Sequence, residues 1–587
     1  MKIGSHILKE GEPYMKIEDY KKYVKYTLGE EKSDLVLKNA RLIMVQSGEV
    51  MEADIAIKDH FIVGIGDYDG REEIDCRGKY ISPGFIDSHL HFESTLANPK
   101  ELVHYASRSG TTTFIADPHE AANVAGLKGI DYILDQTREA SGDVYIMAPS
   151  CVPCRDGEDT GCLMGADDLS RLLGRSRILG LGEVMDERAV IGCESRMMDK
   201  LEIFENRVKD GHAISIEGKD LAAYAMSGIL TDHESTEYEY AMMKVRNGMY
   251  VHIREGSAAR NLEAIVRGIV ENKTDISRFT FCTDDKHIED IQREGHISHN
   301  VRKAIGLGLD PLDAYKMASL NPAQCYGLDD LGMLAVGKKA NLIILNDMDG
   351  VDIDRVMYRG KFIDKVYEGN KNKVDSDLLN SIHIDWFKEE MLAYKSRRYA
   401  IGMVEGEILT KLLDLDSDRF EELNLGGKKD QEYKDFGRTI SKVAIIERHH
   451  NTGKYHVAKV LGYNIKNGAV ASSVSHDSHN VIVLGDNDRD MMLAIDKLKE
   501  MRGGYVLVED GHIFDALPLP VMGLMSDLDS ERMNETLSRM IKRAHQMGVP
   551  KGIEPFIALS FISLPVIPEV RIRTRGLYDV LGDRYLD

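Results

Sequence analysis

Between residues 80 and 330 the chain alternates, unit after unit, between a short apolar run rich in β-branched residues and a longer polar or amphipathic stretch. The runs are YISPGFIDSHLH, TTTFIADP, DVYIMAPS, ILGLGEV, HAISIEG, GILTDHES, MYVHIREG and RFTFCTDD, separated by stretches such as PKELVHYASRSG and ESRMMDKLEIFENRVKDG. Eight units over roughly 250 residues match the size and rhythm of a (β/α)8 barrel. A doubly wound sheet would not need eight units, and no Gly-x-Gly-x-x-Gly follows the first run to mark a dinucleotide phosphate loop. In a barrel each strand delivers its C-terminal end to one rim, so any chemistry is expected at eight identifiable places.

The flanks differ in character. Residues 1–33 read as a polar, partly helical lead-in. Residues 34–80 hold the β-rich runs LVLKNARLIMV, GEVMEADIAIKDHFIVGIG and EEIDCRGKYISPG, which are too few to close a domain. A second β-rich stretch over 331–370 supplies the missing strands. The expected fold class is therefore α/β: a (β/α)8 TIM-like barrel over 81–330, a discontinuous small β-sandwich from 34–80 plus 331–370, and an additional C-terminal α/β domain over 380–587 with KVAIIERH, NVIVLGD and YVLVEDGHIF as strands. In that last region the connecting segment DQEYKDFGR reads as polar and exposed.

A formal charge of -22 opposes attraction to nucleic acid or an anionic membrane surface. The N-terminal stretch has no apolar h-region, and the longest apolar run, Phe556 to Ile567, is broken by Ser560, Ser563 and Pro565 and is too short to span a bilayer. The expected location is cytoplasmic, with a homodimer as the base-rate assembly. Seven cysteines with a single C-x-x-C, Cys151 and Cys154, fit free thiols in a reducing compartment.

The chemistry begins at Pro83-Gly84-Phe85-Ile86-Asp87-Ser88-His89-Leu90-His91, where an apolar strand runs into two histidines one residue apart. Side chains at i and i+2 of a strand share a face, so His89 and His91 can reach one metal ion. The following strand ends carry Asp117 and His119, then Glu183, His212, His233 and Asp284. Singly, each has a dull explanation as a cap or a surface charge. Together they occupy the one rim where convergence is geometrically possible. His89, His91, His212, His233, Glu183 and Asp284 offer ligands for two divalent ions, with Glu183 placed to bridge them. Mixed imidazole and carboxylate ligation without thiolate suits Mn2+, Fe2+ or Zn2+. A water on such a centre is acidified from pKa ~15.7 towards ~7, and Asp284 can take its proton and pass it to a substrate nitrogen. The expected catalytic residues are Glu183, His233 and Asp284.

These residues carry a resemblance. PGFIDSHLHFEST resembles the amidohydrolase superfamily, and FIADPHEAANV, GLGEVM, DGHA, TDHEST, IREGSAARN, CTDDKH and SVSHDSHN resemble the adenine deaminases within it, from about residue 34 to 530. The resemblance implies hydrolytic deamination of adenine at a binuclear centre, with manganese first and iron or zinc as alternatives, and Glu183 in place of the carboxylated lysine of many relatives. It also puts Asp117, His119 and Glu120 with Arg254, Glu255 and Ser257 at the same rim as candidate substrate-binding residues. Two loops depart from the family pattern: DGHAISIEG lacks a Pro-Gly after the histidine, and CVPCRDGEDTG replaces a Cys-Val-Pro-Ala-Thr segment.

Three rivals fare worse. Cyclic amidases of the same superfamily generally use a lysine where Glu183 stands. A catalytically lost homologue should lack ligands at several strand ends. His91-Phe92-Glu93 matches half of the cytidine-deaminase zinc signature, but Gly157 stands where the second cysteine is required. The loops with Glu447, His449 and His450 and with His476, Asp477, His479 and Asn480 read either as polar surface or as pocket wall and extra ligands, and stay outside the core metal set.

Overall fold

The computed structural model describes residues 15–586 apart from 215, 258, 365, 368, 370–372, 396–397, 406–409, 416–420 and 423–439. The first 14 residues of the lead-in and the segment DQEYKDFGR lie outside the described residues.

Eight parallel strands follow one another in the barrel: Phe85–Leu90, Thr111–Ala116, Asp143–Ala148, Ile178–Val184, Val208–Gly211, Thr231–Asp232, Tyr250–Arg254 and Phe279–Cys282. The first five pair in chain order, as do the last three. Leu230 N–H donates to the Lys209 carbonyl at 2.9 Å across the gap between the sets, and a bridge between Leu90 and Asp284 closes the ring.

The strands are buried on both faces, which is why they read as continuous apolar or Thr-rich runs instead of alternating. Phe114, Val144 and Ile146 pack on Leu102, Val103, Ile130 and Ile133 of the neighbouring helices. On the far side Val251, Ile253, Phe279 and Phe281 meet the helix Leu262–Asn272, which buries Leu262, Ile265, Val266 and Ile269. That spacing of three, four and seven residues is one helical stripe.

Strands from both flanks of the barrel share one eight-stranded sheet. Tyr80–Pro83, which leads into the barrel, pairs with Ser33–Met44 on one side and with Leu342–Asp347, which comes after the barrel, on the other. The helix Ile17–Thr27 lays Tyr23 and Tyr26 on Val36, Phe61 and Val63. The C-terminal region builds a nine-stranded mixed sheet between Tyr399–Met403 and His512–Pro518, covered by the helix Asp488–Met501 through Met491, Ala494, Ile495 and Leu498. It rests on the barrel through backbone bonds such as Ser526 N–H to the Leu96 carbonyl at 2.7 Å. Among the described residues no helix is long and apolar enough to cross a membrane.

The N-terminal end of the third barrel strand is fastened to the flanking sheet by a buried carboxylate. Asp143 accepts from Tyr358 OH at 2.8 Å and from Arg359 Nε at 3.1 Å, and lies 3.4 Å from Lys339 Nζ. Burial alone would push the Asp143 carboxyl up, but Lys339 and Arg359 outweigh it and hold it below its ordinary value. A lowered folded pKa gives stability that is present above the unfolded value of ~3.9 and lost as the pH falls through the folded one. Asp143→Asn, which leaves the buried Lys339 and the partly buried Arg359 short of a counter-charge, is expected to cost about 3 kcal/mol in denaturant unfolding at neutral pH, with the gap to wild type narrowing below pH ~4.

Candidate active site

The end of the first strand turns Asp87, His89 and His91 to one side. Asp87, fully buried, accepts from Thr283 Oγ1 at 2.5 Å and from His89 N–H at 3.2 Å, tying the strand to the last one below the histidines. Above it the Nε2 atoms of His89 and His91 approach to 3.1 Å, and His91 Nδ1 sits 2.8 Å from the Asp117 carbonyl. A bond from His91 Nδ1–H to that carbonyl leaves Nε2 as a lone-pair donor.

Glu183 sits at the centre. Its backbone N–H donates to Asp117 Oδ2 at 2.8 Å, a contact possible because residue 182 is glycine: a Cβ there would lie 2.1 Å from that oxygen. The Glu183 side chain then reaches both sides. Oε1 lies 3.4 Å from His91 Nε2 and 3.2 Å from His119 Nδ1, and Oε2 lies 2.6 Å from His212 Nδ1 and 3.3 Å from His233 Nε2. Asp284 completes the ring, its Oδ1 3.3 Å from His91 Nε2 and 3.8 Å from His89 Nε2. His89 stacks on His233 with ring centroids 3.9 Å apart. The six residues expected as metal ligands therefore converge, and ligand atoms of His89, Glu183 and His233, and of His89, His91 and Asp284, form groups compact enough to hold an ion.

Electrostatics follow from burial and neighbours. Burial opposes charge on the carboxyl of Glu183, but His212 and His233 outweigh it and hold the group well below its usual range. Burial likewise opposes charge on His212, yet Glu234 and Glu183 lift the ring to about 9. His91 is raised against burial by Asp284. His89, deprived of water and flanked by His233 and His91, is held well below its ordinary value and stays neutral.

The expected substrate residues divide. Glu120 and Ser257 line a cavity of about 430 Å³ that opens beside the cluster, bounded also by Glu93, Ser94 and Asp285. His119 is not among the residues lining that cavity; its Nδ1 lies 3.2 Å from Glu183 Oε1, and it groups with His91 and Glu183 closely enough to hold an ion. Asp117 stays behind Glu183 as its support. Arg254 is paired to Glu234 and, at 3.0 Å, to Asp284 Oδ2, so it acts on those carboxylates. Glu255 is not brought to the cavity: its Oε1 is 2.7 Å from Lys303 Nζ. That long lysine, one strand-helix unit away, had no signal near IREG.

Sequence reasoning missed Glu234, which lies 3.4 Å from His233 Nε2 and 3.7 Å from His212 Nδ1; its place directly after His233 was the available clue. Of the C-terminal loops, read either as polar surface or as pocket wall and extra ligands, the one with His476 lines the cavity. His476 Nδ1 and His479 Nε2 both contact the Glu120 carboxylate, and Phe561, Val474 and Tyr505 complete the cavity wall. Cys151 and Cys154 are free, buried thiols; Cys151 Sγ accepts from Met185 N–H at 3.3 Å.

Known proteins match this chain along nearly all of it. The model of the amidohydrolase family matches residues 80–363, and that of the adenine deaminase C-terminal domain matches residues 419–583. An adenine deaminase of Desulfitobacterium hafniense is 48% identical over 575 residues, 97% of this chain and 99% of the relative. One of Clostridium acetobutylicum is 40% identical over 581 residues, 96% of this chain and 99% of the relative. With a barrel that carries the amidohydrolase match, a C-terminal domain that carries the second, and relatives this similar from end to end, the chain belongs to the adenine deaminase family of amidohydrolases.

Proposed function

We propose that the chain hydrolyses adenine to hypoxanthine and ammonia at the barrel rim, using two divalent ions held by His89, His91, Glu183, His212, His233 and Asp284. The observation that carries the metal reading is the placement of Glu183, whose two oxygens face different histidine groups. A carboxylate shared in this way suits a bridging ligand. The donor chemistry agrees: ring nitrogens of His89 and His91 crowd one spot at 3.1 Å, and the buried His119 Nδ1 has no hydrogen-bond partner. His119 and Glu234 are further donors within reach. Mn2+ is our choice among ions that suit imidazole and carboxylate, with Fe2+ and Zn2+ as alternatives. Ions bound there would supply a water of pKa near ~7.

The remaining steps belong to the chain. Burial would raise the Asp284 carboxyl, but His91 and Arg254 hold it well below its ordinary value, so it is ionised and able to accept a proton. In the reaction a water oxygen bonds to C6 of the purine and one of its protons passes through Asp284 to N1; the second passes through Asp284 to the amine as the C6–O bond becomes a carbonyl, the C6–N6 bond breaks, and ammonia departs. Arg254 is a positioning residue that keeps Asp284 anionic. Glu93, Ser94, Ser257 and Asp285 present polar atoms to the edge of a flat base, while Phe561 and Val474 exclude water from its far side.

The reaction is tested by ammonia release from adenine and adenosine side by side. Adenine is expected to be favoured by roughly a hundredfold or more, because a ribose on N9 displaces the polar edge that recognises the base. Equal rates would remove the free-base assignment.

Metal and proton roles separate in two variants. Glu183→Gln should lower metal content and turnover together, whereas Asp284→Asn should keep most of the metal and lose ~10²- to 10⁴-fold in kcat. Elemental analysis beside kinetics decides, and full activity in either variant contradicts its role.

Arg254→Met gives a signed pH effect. Removing the cation beside Asp284 raises that carboxyl, so the ionised base forms only at higher pH and the acid limb of the kcat/KM profile should move upward. An unmoved acid limb would show that Arg254 does not set this ionisation.

A further inference from the structure

His476 lies 356 residues from Glu120 in sequence, yet its Nδ1 is hydrogen-bonded to Glu120 Oε1. The ring is stacked on Phe561, with centroids 5.0 Å apart at 28°, and both side chains line the cavity beside the histidine cluster. The backbone is fixed too, His476 N–H donating to the Ser560 carbonyl at 3.0 Å.

The neighbouring His479 decides what this group is. Ser475 N–H donates to His479 Nδ1 at 3.2 Å, so the neutral His479 ring keeps its proton on Nε2, where it faces Glu120 Oε2. Although ligand atoms of Glu120, His476 and His479 are close enough to surround an ion, one of the nitrogens needed is already protonated towards the carboxylate. The trio is an ion-paired cluster. Glu120 accepts from His476 Nδ1 and lies in close contact with His479 Nε2; the first bond fixes a proton on His476 Nδ1, which leaves His476 Nε2 with no protein partner among the described residues, on a ring that edges the cavity.

We infer that His476, carried by the C-terminal domain and oriented by Glu120 and Phe561, is a specificity-determining residue that hydrogen-bonds through Nε2 to a ring nitrogen of the purine other than N1, either N3 or N7. Burial opposes charge on this ring, but Glu120 lifts it to about 9, so at neutral pH Nε2 carries a proton and acts as the donor that an unprotonated ring nitrogen accepts. The inference rests on the adenine reading above and deepens it by assigning part of the base recognition to the second domain.

The test compares adenine with 3-deazaadenine and 7-deazaadenine, in which one ring nitrogen becomes C–H. The wild type should disfavour one of the two analogues by about tenfold or more in kcat/KM, since a buried donor is left without its acceptor. In His476→Leu the KM for adenine should rise by about tenfold or more with a smaller change in kcat, and the discrimination between adenine and that analogue should vanish. His476→Gln, which keeps an N–H donor, should recover part of it. Discrimination unchanged in His476→Leu, or a fall in kcat with KM untouched, would overturn the assignment. Direct calorimetric binding of adenine separates this from the reading beneath it: a wild type that bound adenine through His476 without releasing ammonia would sink the deamination and leave the contact standing.

Discussion

Asp284 N–H donates to the His89 carbonyl at 3.0 Å, and the Asp284 carbonyl accepts from His91 N–H at 3.3 Å. This backbone pair joins the last strand to the first, and the rim depends on it. The donor set is spread over the chain from residue 89 to residue 284, and only a closed ring brings its two ends together. Asp284 adopts a left-handed backbone, φ 57°, which aspartate tolerates better than most residues. Closure thus sets the conformation of the residue that must also offer a carboxylate to the cluster.

The second requirement is charge. Glu183, buried, and Asp284, partly buried, are carboxylates held ionised by histidines and Arg254, while His91, His119 and His212 are pulled towards their protonated forms. Without a cation, those ring protons offset the carboxylates. Divalent ions would displace them, so metal affinity and proton release are linked. The same balance explains Arg254: a guanidinium between Glu234 and Asp284 adds fixed positive charge that no proton equilibrium can remove.

What was legible in the chain follows from periodicity. The period of two predicts that His89 and His91 share a face, and the rhythm of eight units predicts that Glu183, His212, His233 and Asp284 share a rim. Roles within the rim were harder to read. His119 directly precedes Glu120 at the start of one short helix, yet its Nδ1 turns to Glu183 while Glu120 turns to the C-terminal domain. Sequence spacing does not report such a division, because it is set by the rotation of the short helix His119–Ala125 and by partners hundreds of residues away. Glu255 looked like a rim residue for the same reason, and was drawn off by Lys303.

The two ends of the barrel carry different burdens. At the N-terminal end Asp143 is surrounded by Tyr358, Arg359 and Lys339, a partnered network that fastens the flanking sheet. At the C-terminal end buried polar atoms such as His119 Nδ1 and Asp117 Oδ1 stay without hydrogen bonds, as a surface shaped for ligands requires. The loop from Ser473 to Asn480 lowers buried polar side chains onto that end, and the barrel must satisfy them: Asn480 Nδ2 donates to the Asp159 carbonyl at 2.8 Å, and Glu120 accepts from His476. Docking of the second domain and orientation of the ring that faces the cavity therefore draw on one carboxylate, so a change at Glu120 acts on domain packing and on the setting of His476 at once.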